Sequence, residues 1–482
     1  MITHVETPQG RCLFGLARCD VTPPVGIYHR MWGAATHDRS TGVHRPLTAT
    51  ATVFRPLAGS AEPAQEQVLI ALDHCLMWAR EMNALLEAIC TANALPRERV
   101  VVTFSHTHAA GLMDLGRVDL PGGDLIPKYL KELGEKLAHI VSVAREHVRP
   151  VTITYGTGRC GLAAHRDFYD EQGRQWVCGF NPQGAADDAA LVARVTDDAD
   201  QLVATIVNYA CHPTTLAWEN TQISPDYVGA LRETVEEATG ALCVFLQGAS
   251  GEIGPREGFT GDLSVADRNG RQVGHAALCA LDALPPPGTR FEYDGPVISG
   301  ATLGTWKHRP LERKEAKRTE HFRVRRWTVD LPYPADRPSV EQLHADRARW
   351  EEAERAARAA RDDVKARDCR AMIERVNRAL TRRRDLPDGE AFPYPVTLWQ
   401  IGDALWLTVE GEPYQLLQRA LRERFPSTPI IVSVLANGTR CSYLPTRETY
   451  GKGIYQETIA VLAPGCLEML VEAIGAKMDE WV

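Results

Sequence analysis

Short apolar runs bounded by polar turns alternate along this chain with longer stretches in which apolar residues return every three or four positions. The first kind reads as buried strands and the second as amphipathic helices. Residues 13–17, 49–54 and 68–74 are strand-like, and 77–94 are helix-like, ending before Pro96. The run 101–104 predicts a further strand, 126–148 a helix and 151–155 a strand. The polar turn Asp197-Asp198-Ala199-Asp200 joins 191–196 to 201–209 as a hairpin. Ser224-Pro225 opens a helix reaching Thr239; 241–247 reads as a buried strand, and 263–284 as a helix stopped by Pro285-Pro286-Pro287-Gly288. This alternation predicts an α/β fold of mixed sheets with flanking helices.

Between 338 and 386 the pattern changes. Leu343, Trp350, Ala357 and Val364 recur every seven residues, followed by Met372, Val376 and Leu380, in a charged, Ala-rich background. One or two long helices with a narrow apolar stripe fit this, as a helical insertion within a single domain spanning 1–482. The stripe can pack on the body, close a helical hairpin or form a seam between copies in a homo-oligomer. Packing within the chain is the expectation, and nothing there reads as catalytic. Afterwards α/β character resumes, with strands over 395–401 and 404–409, a helix from Glu412-Pro413 to about 425, a strand over 430–435 and a last helix through Val471 and Ile474.

Composition narrows the partners. A chain of 482 residues, 44% hydrophobic, can bury a large core, and a formal charge of −8 argues against non-specific nucleic-acid binding. No apolar run approaches the roughly 18 residues that a spanning helix needs, and residues 1–8 lack the basic and apolar regions of a secretory signal. The 12 cysteines are scattered, several inside apolar runs, with no Cys-x-x-Cys pair. Reduced thiols in a cytoplasmic protein are therefore expected. A small-molecule substrate, with no nucleic acid and no membrane, is the expected partner.

The candidate chemistry sits at strand ends. His106-Thr107-His108 closes an apolar run. On extended backbone, residues two apart share a face, so both imidazoles would project together, either as metal ligands or as hydrogen-bonding groups for nearby loops. His212, Glu412 and Tyr443 follow other strand-like runs. Zinc accepts imidazole nitrogen and carboxylate oxygen, and a catalytic zinc site keeps one position open. The glycine-rich run 248–255 lacks the Gly-Lys-Ser/Thr ending of a phosphate-binding loop.

Taken in order, these motifs resemble the neutral ceramidase family. Asp20-Val21-Thr22-Pro23 with Gly42-Val43-His44 is similar to its N-terminal signature, and Ser105-His106-Thr107-His108-Ala109-Ala110-Gly111 to its Thr-His-Thr-His-Ser-Gly-Pro. Ser224-Pro225-Asp226-Tyr227-Val228-Gly229 is similar to its Ser-Ser-Asp-Asn-Lys-Gly, and Gly411-Glu412 to its Pro-Gly-Glu. Ser442-Tyr443-Leu444-Pro445-Thr446, with Glu448 and Tyr450, is similar to its Tyr-Ile-Thr-Thr-x-Glu-Glu-Tyr. The resemblance implies a zinc-dependent amidase fold whose Zn2+ is held by His106, His212, Glu412 and Tyr443. It also implies His108 beside the metal as a proton-transfer group, Tyr443 available to the oxyanion, Arg166 near the substrate, and His44 and Asp226 in support on the substrate side.

One motif departs from the family. Its Gln-Ser-Asn-Val-Gly-Asp-Val-Ser-Pro carries a serine implicated in catalysis, and the corresponding run here is Gln247-Gly248-Ala249-Ser250-Gly251-Glu252-Ile253-Gly254-Pro255, with Gly254 at that serine's place. Ser250 is the loop's remaining hydroxyl, and Glu252 a further candidate base, both expected on the substrate side. With the last matching motif near Tyr450 of 482 residues, the C-terminal immunoglobulin-like domain the family implies is not expected here. The expected activity is hydrolysis of a small soluble amide-like C–N bond by a metal-activated water, since bound zinc lowers the pKa of water to roughly 7. Ester, lactone or glycoside hydrolysis at the same site, or a catalytically silent binding role, are the alternatives.

Overall fold

The computed structural model describes residues 3–57 and 65–482. Its first layer is an eight-stranded sheet built from β1 (Gln9–Asp20), β2 (Thr48–Arg55), β3 (Gln67–Leu72), β4 (Val100–Phe104), β5 (Arg149–Arg159), β6 (Ala189–Asp197), β7 (Leu202–Tyr209) and β8 (Leu242–Gln247), in the spatial order β8-β7-β6-β5-β1-β2-β3-β4. The neighbours pair antiparallel except at the two edges, where β3 with β4 and β7 with β8 are parallel. A parallel pair needs a crossover, and each has a helix: α1 (Ala79–Asn93) joins β3 to β4, and α3 (Tyr227–Thr239) joins β7 to β8. The helix α2 (Ile126–Glu146) precedes β5, and α4 (Leu263–Asp282) follows β8. The interleaved strands and helices are the α/β alternation read from the pattern.

A second sheet holds β9 (Phe322–Pro332), β10 (Ala391–Ile401), β11 (Ala404–Val409) and β12 (Ile430–Ser433) in that order, with β11 and β12 parallel. Every residue of β11 is buried, as expected of a strand covered on both faces. Between the sheets lie Phe14, Phe54, Tyr155, Trp399 and Trp406, all 2% exposed or less, with Phe14–Phe54 and Phe54–Trp406 ring centroids 5.3 Å apart. Each such aromatic contributes roughly 1.5–3 kcal/mol by leaving water.

The residues around β12 also bridge the edges of the first sheet. The Val434 amide donates to the Gln247 carbonyl at 3.0 Å, while Thr103 Oγ1 donates to the Val434 carbonyl at 2.7 Å. Asn437 accepts from Val102 N and donates to Val102 O at 2.7 and 2.8 Å, substituting for a missing neighbour strand. The chain thereby ties the end of β4 to the end of β8, and this closure carries the strand-end residues toward one another.

The insertion forms two helices, α5 (Val340–Ala359) and α6 (Asp363–Asp385). Packing within the chain is what the structure shows: Arg378 Nη2 on α6 donates to the Met31 carbonyl at 2.7 Å, Glu374 pairs with Arg117, and Asp385 accepts the Ala79 amide at 3.0 Å. Leu343, Ala357 and Val376 are buried as the stripe requires, whereas Val364 is 61% exposed. Strands missing from the pattern reading include β9, the hairpin Asp167–Asp170 with Gln175–Cys178, and the hairpin Thr289–Ile298 with Thr302–Pro310. In β9 the apolar Val324, Trp327 and Val329 lie among Arg323, Arg325 and Arg326, which hides the period of two. The 12 cysteines are free, and no helix among the described residues is long and apolar enough to cross a membrane.

Candidate metal centre and cavity

The chain leaves β4 at Phe104 and turns sharply. His106 takes left-handed backbone, φ 69°, and its amide donates to the His74 carbonyl at 2.9 Å. This corrects the expectation of an extended His-x-His: a strained turn, not strand periodicity, brings the His106 and His108 rings to a 4.9 Å centroid separation. Left-handed backbone at a residue with a Cβ costs of order 1–3 kcal/mol and persists where its surroundings hold it. Beneath it, buried Asp73 at the end of β3 accepts a bidentate pair from Arg232 of α3, at 2.9 and 2.6 Å.

His212 follows β7 and Glu412 follows β11. The Nε2 atoms of His106 and His212 are 3.0 Å apart, and Glu412 Oε2 lies 3.1 Å from the first and 3.7 Å from the second. His106 Nδ1 donates to the Cys75 carbonyl at 2.7 Å and His212 Nδ1 to the Ser250 carbonyl at 3.2 Å. With Nδ1 bonded to a carbonyl, each ring turns its Nε2 toward Glu412, and His212, kept neutral by burial, offers a lone pair there. Two imidazole nitrogens and a carboxylate oxygen on one point, each oriented from behind, form a donor set suited to a divalent metal such as zinc.

The electrostatics mark this point as one that favours positive charge, which His106 carries as a proton that a bound metal would replace. Burial opposes charge on His106, but Cys75 and Glu412 outweigh it and hold the ring well above the ordinary imidazole pKa. Burial, with neighbouring cations, pushes His108 and His212 well below that value. Glu412 stays below the usual carboxyl range, since His106 outweighs the effect of burial.

Gly411 places Glu412. Its φ is 74°, and a Cβ there would lie 2.5 Å from both Cys441 Sγ and the Ser442 carbonyl oxygen. This close approach lets Glu412 pair with Tyr443 in a short parallel bridge, with the Glu412 amide donating to Ser442 at 2.8 Å. The Tyr443 hydroxyl is in hydrogen-bonding contact with both Glu412 and Arg166, and burial raises its pKa well above 10, so it remains a neutral donor.

These groups line a cavity of about 470 Å³, with His106, His108, Arg166, His212, Glu412 and Tyr443 all on its wall. Trp32, Trp218 and Phe259 form an aromatic side to it; Trp32 lies edge-on to the other two rings, at 6.2 and 5.6 Å. His108 Nε2 is buried without a hydrogen-bond partner among the described residues.

The four residues expected on the substrate side do not line this cavity, and their polar atoms are engaged elsewhere. His44 Nδ1 meets Ser224 Oγ at 2.9 Å and its Nε2 lies 3.2 Å from Asp267. Asp226 caps α3, accepting from the Leu216 and Tyr227 amides at 2.8 and 2.6 Å. Ser250 Oγ accepts from Gln247 Nε2 at 2.7 Å, and the residue reaches the centre only through its carbonyl on His212. Glu252 accepts the Gln415 amide at 2.9 and 3.0 Å and lines a separate cleft. At Gly254 a Cβ would stand 3.0 Å from Arg166 Cδ and 3.5 Å from Thr214 Oγ1, so the bare backbone makes room for Arg166.

Pattern reading missed Thr214, Tyr455 and the α6 residues Met372, Arg375, Arg378 and Arg382, which also line the cavity. The insertion therefore contributes directly to the site, contrary to the expectation that it carries no chemistry. The spacing of 375, 378 and 382 marks one face of a helix and is the signal that was available.

No family model and no curated protein matches the sequence. Solved structures do: a neutral ceramidase from Pseudomonas aeruginosa superposes with a TM-score of 0.62 at 16% identity, over 98% of this chain and 74% of that one. The fold is that of a neutral ceramidase. A ceramidase complexed with C2 matches similarly, with a TM-score of 0.62 and 15% identity over 98% of this chain and 75% of the other. In this ceramidase-like fold the two parallel edges and the β11 turn supply His106, His212 and Glu412.

Proposed function

We propose that the chain is a zinc-dependent hydrolase of small, soluble amide-like substrates. The observation that carries this reading is the convergence of His106, His212 and Glu412 with both Nδ1 protons committed to carbonyls. The amide class follows from the names of the ceramidases that share the fold. His106, His212, Glu412 and Tyr443 would hold the metal, which supplies Lewis acidity and activates water when bound.

The chain's own groups do the rest. His108, with its unpartnered buried Nε2, takes and returns a proton and delivers it to the leaving nitrogen, help worth typically 10²- to 10⁴-fold. Tyr443, kept neutral by burial, donates toward developing negative charge, and Arg166 orients its hydroxyl. The aromatic wall binds the apolar part of the substrate and excludes water. No side-chain nucleophile is needed, in keeping with Gly254 where the ceramidase serine is expected and with Ser250 bonded to Gln247. The unpaired cysteines support a cytoplasmic setting.

The test is metal analysis of purified protein with His106→Ala and Glu412→Ala, together with chromogenic amide and ester panels with and without chelator. Roughly one zinc per chain, lost in both variants, and chelator-sensitive amide turnover are expected. Turnover that ignores chelator sinks the proposal; ester turnover without amide turnover moves the assignment to that bond, and bound zinc without turnover leaves a binding protein.

A further inference from the structure

The cavity wall has more positive than negative charge, and the excess comes from the insertion. Its charged residues are Arg166, Arg375, Arg378 and Arg382 against Glu374 and Glu412. Glu374 is taken by Arg117 and by Arg378, whose Nε donates to it at 2.8 Å. Glu412 faces His106 and Tyr443. Arg166 donates to the Gly251 carbonyl and contacts Tyr443.

Arg375 is exposed, so solvent screens its charge; Arg382 is different. It is 7% exposed, lines the cavity, and its guanidinium has neither an ion-pair nor a hydrogen-bond partner among the described residues. Burial lowers its pKa to about 10, with Arg378 and Arg375 adding repulsion and Tyr455 and Glu412 opposing it, so it still carries its charge at neutral pH. A buried, always-ionised group without a counter-charge is costly, and buried charges are ordinarily paired. A guanidinium also presents a planar fork of donors that matches an oxyanion.

We propose that the substrate carries an acidic group, and that Arg382 binds it while the aromatic wall of Trp32, Trp218 and Phe259 takes the adjoining apolar part. The substrate class is then an anionic amide, such as an N-acyl derivative of an apolar amino acid, and the insertion is the specificity element. A neutral lipid amide offers this guanidinium no counter-charge. The bond cleaved rests on the hydrolase reading above; the anion site does not.

The experiment separates the two. Binding of 3-phenylpropane-1-sulfonate and of its neutral isostere, methyl 3-phenylpropyl sulfone, is followed by tryptophan fluorescence, since Trp32, Trp78 and Trp218 line the cavity. Sulfonate is used because it is a poor metal ligand. The wild type is expected to bind the sulfonate at least tenfold more tightly, Arg382→Gln to lose that preference, and Arg382→Lys to keep part of it, with zinc content unchanged and the melting temperature of Arg382→Gln no lower than that of the wild type, since it removes an unpaired buried charge. In parallel, turnover of N-acetylphenylalanine is compared with that of N-acetylphenethylamine, which lacks the carboxylate; Arg382→Gln should raise KM for the acid at least tenfold and lower the ratio of kcat/KM for the acid to that for the neutral amide by a similar factor. A sulfonate preference that survives Arg382→Gln, or none in the wild type, overturns the anion site even if amides are hydrolysed. Loss of the preference in Arg382→Gln with no turnover of either amide upholds the anion site and sinks the hydrolase reading instead.

Discussion

His106 Nε2 and His212 Nε2 face each other at 3.0 Å while the far nitrogen of each ring is bonded to a main-chain carbonyl. Two lone pairs at that distance repel unless a proton or a metal ion lies between them, and Glu412 beside them supplies the charge that favours a cation. Replacing His106 by Ala or Glu412 by Gln should weaken zinc binding by at least 100-fold, measured by competition with a chromogenic chelator. At zinc 100-fold above its Kd the wild type gains about 2.7 kcal/mol of stability, and neither variant should show the accompanying rise in melting temperature.

The loop of Ser250 and Gly254 gives a contrasting pair. Ser250→Ala should keep kcat/KM within about twofold and lose roughly 1 kcal/mol of stability, the net worth of the hydrogen bond from Gln247. Gly254→Ala sets a methyl 3.0 Å from Arg166 Cδ and should lower kcat about tenfold by displacing Arg166, with zinc content unchanged. Steady-state kinetics on both variants checks this. Full activity in Gly254→Ala would show that the fit of Arg166 against this glycine has no part in the reaction.

Glu252 should make stability depend on pH. Burial raises its carboxyl to about 8 from 4.5, so it is protonated in the folded protein at neutral pH and ionised in the unfolded chain. Its contribution is complete below pH 4.5 and is lost as pH rises through 8, on the order of a few kcal/mol across that window. Urea titrations from pH 5 to 8 should show a shallower decline in Glu252→Gln than in the wild type. Parallel pH slopes would mean that Glu252 ionises normally in the fold.

Asp73 works in the opposite direction. Burial disfavours its charge, but the Arg232 guanidinium outweighs burial and holds the carboxyl below its ordinary 3.8, so its stabilisation is present above that pH and lost as pH falls below it. Asp73→Asn leaves Arg232 buried and unpaired, and should cost about 3–5 kcal/mol by chemical denaturation. Because the neighbouring His74 carbonyl holds the His106 amide, zinc affinity should fall as well. Asp73→Asn with wild-type zinc affinity would separate this ion pair from the metal centre.

Local pattern determined a good deal by itself. Apolar runs and turn residues located most strands of both sheets, α1 to α4 and the paired insertion helices to within a few residues, because these depend on nearby side-chain periodicity. The histidines, Glu412 and Tyr443 were legible as strand-end residues with ligand chemistry. Only the tertiary structure decided the rest. The bridging of β4 to β8 through Val434 and Asn437 joins residues more than 180 positions apart in the chain and leaves no local trace. The left-handed turn at His106 depends on the carbonyl of His74 on a neighbouring strand end, so an extended His-x-His was the wrong geometry. His44 and Asp226 as supporting groups, and Ser250 and Glu252 as loop candidates, were legible only as residue types; their hydrogen bonds commit them elsewhere. The arginines of α6 were only part of a charged background to an apolar stripe; packing against the loop of Met31 made them cavity wall, since burial belongs to the neighbours a residue acquires and not to the residue alone.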